Sequence, residues 1–289
     1  MNVNYLKCLN IAILIAFSSL GFHVDANTVS RYFKTSDKVS LHYTESKRRD
    51  VTLIFVPGWL MPGDIFSRQI EALSDQFHVV VFDPRGQGLS GKGANNLSAG
   101  RRAQDIKELL RHAKVKKYVL IGWSLGVMES LDYINRFGSV GLKGLVLIDN
   151  SIGMGVPPMQ SSSRGGSRPT KKADFSDYIE KFGREIFALE PAPVMLESVI
   201  KSALKLSPTQ AWGLLNKPYP REYYAKGVMS VDVPVWYAIT KRFGSQGEEL
   251  LEKHPKALVT IFENSGHALF VDESQRFNQL LISFMDAIK

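Results

Sequence analysis

The stretch Gly122-Trp123-Ser124-Leu125-Gly126 places a serine between two glycines. Residues 117–122 (KYVLIG) before it are apolar and indicate a strand, whereas residues 125–138 (LGVMESLDYINRFG) have the spacing of a helix. At such a strand-to-helix turn a serine hydroxyl is exposed above the sheet, and side chains at the flanking glycines would clash with backbone. The helix N-terminus also favours developing negative charge. This pattern predicts that Ser124 is a nucleophile.

A nucleophilic serine needs a base, and the chain has six histidines. His267, in the stretch ENSGHALF, comes directly after the last predicted strand, ALVTIFE (257–263). In open α/β sheets ligands bind at the carboxyl ends of the strands, so His267 lies on the expected edge. The histidines elsewhere lie in the leader, a hairpin, a strand start and two helix ends. We therefore predict His267 as the general base.

Negative charge on a tetrahedral intermediate needs two backbone N–H donors aimed at one point. The N–H of Leu125, directly after the serine, is one predicted donor. The second is the N–H of Trp59 in FVPGWLMPG, where Gly58 lets the chain approach the site. An ordinary Pro-Gly turn is the alternative interpretation of that stretch.

Short apolar runs alternate with helical patterns around these residues. The runs VTLIFV (51–56), FHVVVFD (77–83) and GLVLID (144–149) lack polar alternation, as strands covered on both faces do. An alternating hairpin over residues 31–46 precedes them. From Ser151 the chain becomes rich in Gly, Pro and Ser, then helical, and the strand rhythm returns at VPVWYAI (233–239). The order predicts a mostly parallel, doubly wound α/β sheet.

The motifs VPGW, FDPRGQGLS, GWSLG and SGHALF together resemble those of the α/β-hydrolase superfamily, and the resemblance covers nearly the whole chain after the leader. It implies a core formed by residues 27–150 and 231–289, with a helical cap inserted at 151–230. Members usually have His-Gly where this chain has Pro57-Gly58, a change that leaves the backbone donor in place. In FDPRGQGLS, Asp83 and Arg85 are expected to organise a loop.

The carboxylate that orients the histidine is the main departure from the family. It usually follows the strand that reads here VPVWYAI, yet no Asp or Glu occurs between Asp232 and Glu248. A second solution in the family places it after the preceding strand, which ends here in Asp149. We predict Asp149 as the acid. Glu248, Glu249 or no carboxylate at all are the alternatives.

Residues 1–26 have the composition of a secretory signal peptide, with cleavage predicted after Ala26. The protein is therefore expected to be secreted or periplasmic. The single cysteine, Cys8, lies in this leader, which excludes disulfides and thiolate metal sites from the mature chain. The net charge of +8 favours acidic partners, whereas the lack of a concentrated basic run argues against nucleic-acid binding.

The combined pattern predicts a serine hydrolase that cleaves a carboxylic ester of a small molecule or acyl group and needs no cofactor. GWSLG and PGW most resemble the methyl esterases that act on pimeloyl-carrier-protein methyl ester. Residues 151–230 hold eleven Lys or Arg against seven Asp or Glu, so a basic cap could meet an acidic carrier or an anionic surface. Cofactor-free haloperoxidases share the same site. A binding protein or sensor with little turnover is the alternative from another class.

One motif suggests a different ligand. Residues 86–91 read Gly-Gln-Gly-Leu-Ser-Gly, formally the G-x-G-x-x-G of dinucleotide sites. KGANNLSAG follows instead of a helix, so a phosphate there would lack its helix N-terminus. We do not predict a nucleotide site.

Overall fold

The computed structural model describes residues 28–93, 96–157, 168–216 and 218–288. The predicted signal peptide, with Ala26 and Cys8, lies outside these residues. So does part of the predicted loop from Ser151, namely residues 158–167. Among the residues that the structure describes, no helix is both long and apolar enough to cross a membrane.

The described residues form one eight-stranded sheet in the order β1-β2-β4-β3-β5-β6-β7-β8. β1 pairs antiparallel with β2, and β2 pairs antiparallel with β4, whereas every other neighbouring pair is parallel. The strands are β1 (Thr28–Lys34), β2 (Ser40–Ser46), β3 (Thr52–Val56), β4 (His78–Phe82), β5 (Tyr118–Trp123), β6 (Leu142–Ile148), β7 (Val235–Ile239) and β8 (Ala257–Ile261). This order confirms the predicted doubly wound sheet with its leading hairpin.

Helices cover both faces of the sheet. They are α1 (Ser67–Leu73), α2 (Ala99–His112), α3 (Leu125–Phe137), α4 (Lys172–Glu185), α5 (Pro193–Ala203), α6 (Pro208–Gly213), α7 (Arg221–Met229), α8 (Gly244–Lys253), α9 (Leu269–Asp272) and α10 (Ser274–Ala287). Side chains of α2, α3, α7 and α8 form the core on one face, and α1, α9 and α10 supply that on the other. Every residue of β3, β4, β5 and β7 is buried, which explains their unbroken apolar runs.

Two helices begin at serine caps. The Ser98 side chain accepts a hydrogen bond from the N–H of Arg101 and so caps α2. Ser207 caps α6 in a reciprocal capping box with Gln210, followed by proline in the first turn. Both caps satisfy backbone N–H groups that have no partner within the helix.

Helices α4 to α7 lie between β6 and β7, where the cap was predicted. An apolar cluster joins this insert to the core: Trp59 and Leu125 from the core pack with Trp212 and other cap side chains. The indoles of Trp59 and Trp212 stack with their ring centroids 5.0 Å apart. The apolar side chains of the insert therefore pack around the residues next to Ser124.

Polar contacts also join the insert to the core. Ser202 donates to the carbonyl oxygen of Leu60 at 2.8 Å and accepts from the N–H of Gly88 at 2.8 Å. The ammonium of Lys205 donates to the carbonyl oxygens of Gly88 at 2.7 Å and Ser90 at 2.6 Å. Two residues of the insert thus hold the turn at residues 88–90.

Candidate active site

The turn between β5 and α3 has a strained backbone at Ser124. This residue has φ 53° and ψ −121°, a conformation that non-glycine residues adopt rarely. A β-carbon at Gly122 would lie 2.4 Å from the carbonyl oxygen of Gly126, and one at Gly126 would lie 2.2 Å from that of Val56. These distances confirm why both flanking positions are glycine. The turn leaves the Ser124 side chain partly exposed at the carboxyl end of the sheet.

His267 lies between the side chains of Ser124 and Asp149. Its Nε2 is 2.8 Å from Oγ of Ser124, and its Nδ1 is 2.7 Å from Oδ2 of Asp149. The imidazole is 26% exposed, whereas the Asp149 side chain is 4% exposed. With the proton on Nδ1, Nε2 is free to accept the serine proton. The structure thus brings together the three residues that the sequence selected.

The second oxygen of Asp149 is held by the loop that follows β7. Oδ1 accepts two hydrogen bonds from Thr240, one from its backbone N–H and one from its hydroxyl, both at 2.8 Å. The sequence alternatives lie elsewhere: both are on α8, and Glu249 accepts hydrogen bonds from the N–H of Gly155 and from Lys253. Of these carboxylates, only Asp149 contacts the histidine.

The loop after β3 lies against Ser124. A β-carbon at Gly58 would lie 2.9 Å from Cβ of Ser124 and 3.4 Å from its Oγ, so the backbone here passes next to the hydroxyl. The first N–H groups of a helix have no partner within it, which leaves that of Leu125 for a ligand. The backbone positions of Trp59 and Leu125 are therefore compatible with an oxyanion hole.

Gln87 supports this loop, and the sequence analysis did not predict this role. Its Nε2 donates to the carbonyl oxygens of Gly58 at 3.0 Å and Met61 at 2.8 Å, and its Oε1 accepts from the N–H of Leu60. The Trp59 indole N–H donates to the carbonyl oxygen of Ala211 in α6 at 2.6 Å. These bonds fix the loop from both the core and the insert.

Two further side chains position the backbone at Ser124 and at His267. Asn150 donates to the carbonyl oxygen of Ser124 at 2.7 Å, and the Trp123 indole N–H donates to that of His267 at 2.9 Å. The Trp123 and His267 rings lie 5.3 Å apart in a tilted arrangement. Both residues are next to predicted site residues in the sequence, and that adjacency is the only signal by which they could have been found.

Asp83 and Arg85 organise a loop, as predicted. The two carboxylate oxygens of Asp83 accept from the N–H groups of Gly63 at 2.6 Å and Leu89 at 2.8 Å. The Arg85 guanidinium is fully buried and forms a salt bridge with Asp105. Among the residues that the structure describes, no group of three or more His, Cys, Asp or Glu side chains is arranged to hold a metal ion.

A second Ser–His–Asp chain of hydrogen bonds lies in the hairpin. Oγ of Ser30 is 2.8 Å from Nε2 of His42, whose Nδ1 is 2.7 Å from Oδ2 of Asp83. Ser30 lies within the edge strand β1 and not at the start of a helix, so it lacks the sharp turn and the helix N-terminus that Ser124 has. This trio provides a matched comparison for the residues around Ser124.

The model of the alpha/beta hydrolase fold matches residues 51–274. The chain belongs to this family. One relative within it is the AB hydrolase superfamily protein YisY of Bacillus subtilis, 22% identical over 90% of this chain and 100% of the relative. Another is the pimeloyl-[acyl-carrier protein] methyl ester esterase of Vibrio cholerae, 25% identical over 80% of this chain and 93% of the relative.

Solved structures of other hydrolases share the fold. A putative aryl esterase from Burkholderia cenocepacia superimposes with a TM-score of 0.75 at 23% identity, over 90% of this chain and 99% of the other. The esterase RhEst1 from Rhodococcus has the same TM-score at 20% identity, over 90% of this chain and 99% of the other. At these identities the likeness shows the α/β hydrolase fold, which confirms the predicted fold class.

Proposed function

We propose that the protein is a serine hydrolase that cleaves carboxylic esters through an acyl-enzyme on Ser124. The observation that carries this proposal is the position of His267, within hydrogen-bond distance of both Ser124 and Asp149. A histidine placed in this way accepts the serine proton on one nitrogen, while the buried carboxylate stabilises the resulting imidazolium.

The steps follow from this geometry. Oγ of Ser124 attacks the ester carbonyl carbon as its proton passes to Nε2 of His267, and the N–H groups of Trp59 and Leu125 stabilise the oxyanion. The C–O bond to the alcohol then breaks, and His267 gives the proton to the leaving alkoxide. Water attacks the acyl-enzyme with His267 again as base, which releases the carboxylic acid and restores the Ser124 hydroxyl.

The names of relatives support an ester as the substrate class. The Vibrio cholerae relative is a methyl ester esterase, and the Acinetobacter calcoaceticus relative is a bifunctional esterase/perhydrolase, 28% identical over 50% of this chain and 52% of the relative. A methyl ester on an acidic acyl carrier is the second candidate, favoured by the relatives of that name and by the excess of cations in residues 151–230. Hydrolysis of the carrier-bound ester in preference to the free methyl ester would favour this candidate.

The test compares the two serines that contact a histidine. We expect a fluorophosphonate probe to label the wild-type protein and Ser30→Ala, but not Ser124→Ala. We also expect Ser124→Ala to lower kcat for a short-chain aryl ester by at least about 10³-fold, because the nucleophile is lost. Ser30→Ala should leave kcat unchanged. Turnover or labelling that survives in Ser124→Ala would overturn the proposal, as would a wild-type protein that neither labels nor hydrolyses any ester in an acyl-length series.

A further inference from the structure

A group of cations lies at the end of the sheet opposite Ser124. The loops at residues 47–51 and 113–117 precede β3 and β5, and their side chains line a cavity of about 190 Å³. The cationic side chains of this surface, which we call the basic edge, are Arg48, Arg49, Lys114, Lys116 and Lys117. The first residues of β3, β4 and β5 lie side by side there, so the cavity is at the amino ends of the parallel strands.

The cations of the basic edge outnumber the carboxylates that they contact. Among the described residues that line the cavity, Asp50 is the single carboxylate, and it pairs with Lys117 at 2.9 Å. Arg48 donates to the carbonyl oxygen of Ala113 at 2.8 Å and forms no salt bridge with a carboxylate in the described ranges. Lys114 and Lys116 are exposed and have no ion pair within the described part of the chain. Several cations of the basic edge are therefore available to an anionic ligand.

Part of the positive charge of the cap is paired with carboxylates of the cap itself. Lys181 pairs with Glu185, and Arg184 forms salt bridges with Glu180 and Glu190. Acidic and basic side chains thus alternate along α4, which weakens its attraction for a negatively charged surface. The basic edge, with five cations around one cavity, is a second candidate surface for an anionic partner.

The N-terminal part of the chain enters the fold beside the same edge. Thr28, the first residue of β1, pairs with Ser46, and the basic loop begins one residue later at Lys47. Each Lys or Arg side chain near an anionic lipid surface adds to the attraction, so the five clustered cations of the basic edge suit such a surface.

We propose that the basic edge binds the phosphate groups of an anionic phospholipid surface. Ser124 follows the other end of β5, and a six-residue strand is about 20 Å long. Lipid bound at the basic edge therefore leaves Ser124 and His267 facing away from the membrane. The arrangement holds the protein at a lipid surface without closing its site to soluble substrates.

The test measures binding of the full chain to vesicles by sedimentation. One vesicle contains phosphatidylcholine alone and the other contains added phosphatidylglycerol, so that binding that does not depend on lipid charge contributes equally to both. We expect phosphatidylglycerol to strengthen binding at low salt, and 0.5 M NaCl to abolish that gain by screening. The triple variant Arg49→Gln, Lys114→Gln and Lys116→Gln should lose about fivefold in partitioning per cation, on the order of a hundredfold in all.

The matched control changes the same number of charges on the cap: Lys172→Gln, Lys201→Gln and Lys226→Gln. We expect it to keep the wild-type gain from phosphatidylglycerol, and both triple variants to keep the wild-type thermal midpoint. Equal losses in the two variants would show that net charge alone drives binding and would overturn the proposal. Wild-type binding that is the same on both vesicles would also overturn it.

Discussion

Replacing Asp149 by Asn keeps the shape of the side chain and changes the atoms that it offers to its neighbours. Thr240 directs both an N–H and a hydroxyl proton at Oδ1 of Asp149, so the amide oxygen of an asparagine would face Thr240. The amide NH₂ would then face Nδ1 of His267, which must accept this hydrogen bond. The histidine proton would therefore lie on Nε2, where it blocks transfer from Ser124.

The size of the effect follows from the loss of the reactive tautomer. The same change in a Ser–His–Asp protease, where the geometry stays intact, lowers kcat by about 10⁴-fold. That factor corresponds to about 5.5 kcal/mol of transition-state stabilisation. We expect a loss of this order in Asp149→Asn, measured as kcat for a chromogenic ester at pH 7, with KM changed only slightly because Asp149 is buried beneath the histidine.

Glu248→Gln and Glu249→Gln are the matched controls, since each also converts a carboxylate to an amide. We expect both to retain wild-type kcat, because the carboxylate of Glu249 binds Gly155 and Lys253 and neither residue contacts the histidine. An Asp149→Asn variant within tenfold of wild type, with an unchanged thermal midpoint, would refute the reasoning.

Two further predictions concern single hydrogen-bonded groups. Thr240→Val removes one of the two hydrogen bonds to Oδ1 of Asp149. In steady-state kinetics we expect kcat to fall about tenfold with KM unchanged. A change in KM alone would contradict a positioning role for Thr240. Burial alone would raise the pKa of Glu108, but hydrogen bonds from Arg101 and Ser36 lower it from 4.5 to about 2. The charged carboxylate therefore stabilises the fold above pH 4.5, and this contribution is lost as the pH falls from 4.5 to 2. The free energy of urea unfolding should fall less for Glu108→Gln than for wild type between pH 4.5 and pH 2. If the two proteins lose the same free energy over that range, the charge of Glu108 does not contribute to stability in this way.

The sequence predicted the elements that place the site and most of the side chains in it. The carboxyl ends of parallel strands meet at one rim, so residues after β5, β6 and β8 were expected to lie close together. Ser124, Asp149 and His267 are those residues. The choice between Asp149 and the glutamates of α8 needed the structure. It depends on which carboxylate faces His267, and Asp149 does so because Thr240, in the loop after β7, holds its other oxygen.

The residues that support the site were missed for a physical reason. Gln87 and Thr240 act through hydrogen bonds to groups that are 26 to 91 residues distant in the chain. Such contacts leave no periodicity or spacing in a sequence. Thr240 directly follows β7, the strand after which the family usually places its acid, and its hydroxyl holds the displaced carboxylate.

The turn at residues 85–91 contacts both the loop after β3 and the helical insert. Gln87 holds the loop of the proposed oxyanion donor, while Gly88 and Ser90 accept hydrogen bonds from Lys205 of the insert. Exchanging the insert for that of another family member would remove Lys205 and disturb the loop beside Ser124. A chimera made to change substrate preference should therefore lose turnover rate as well, unless it retains Ser202 and Lys205 from this chain.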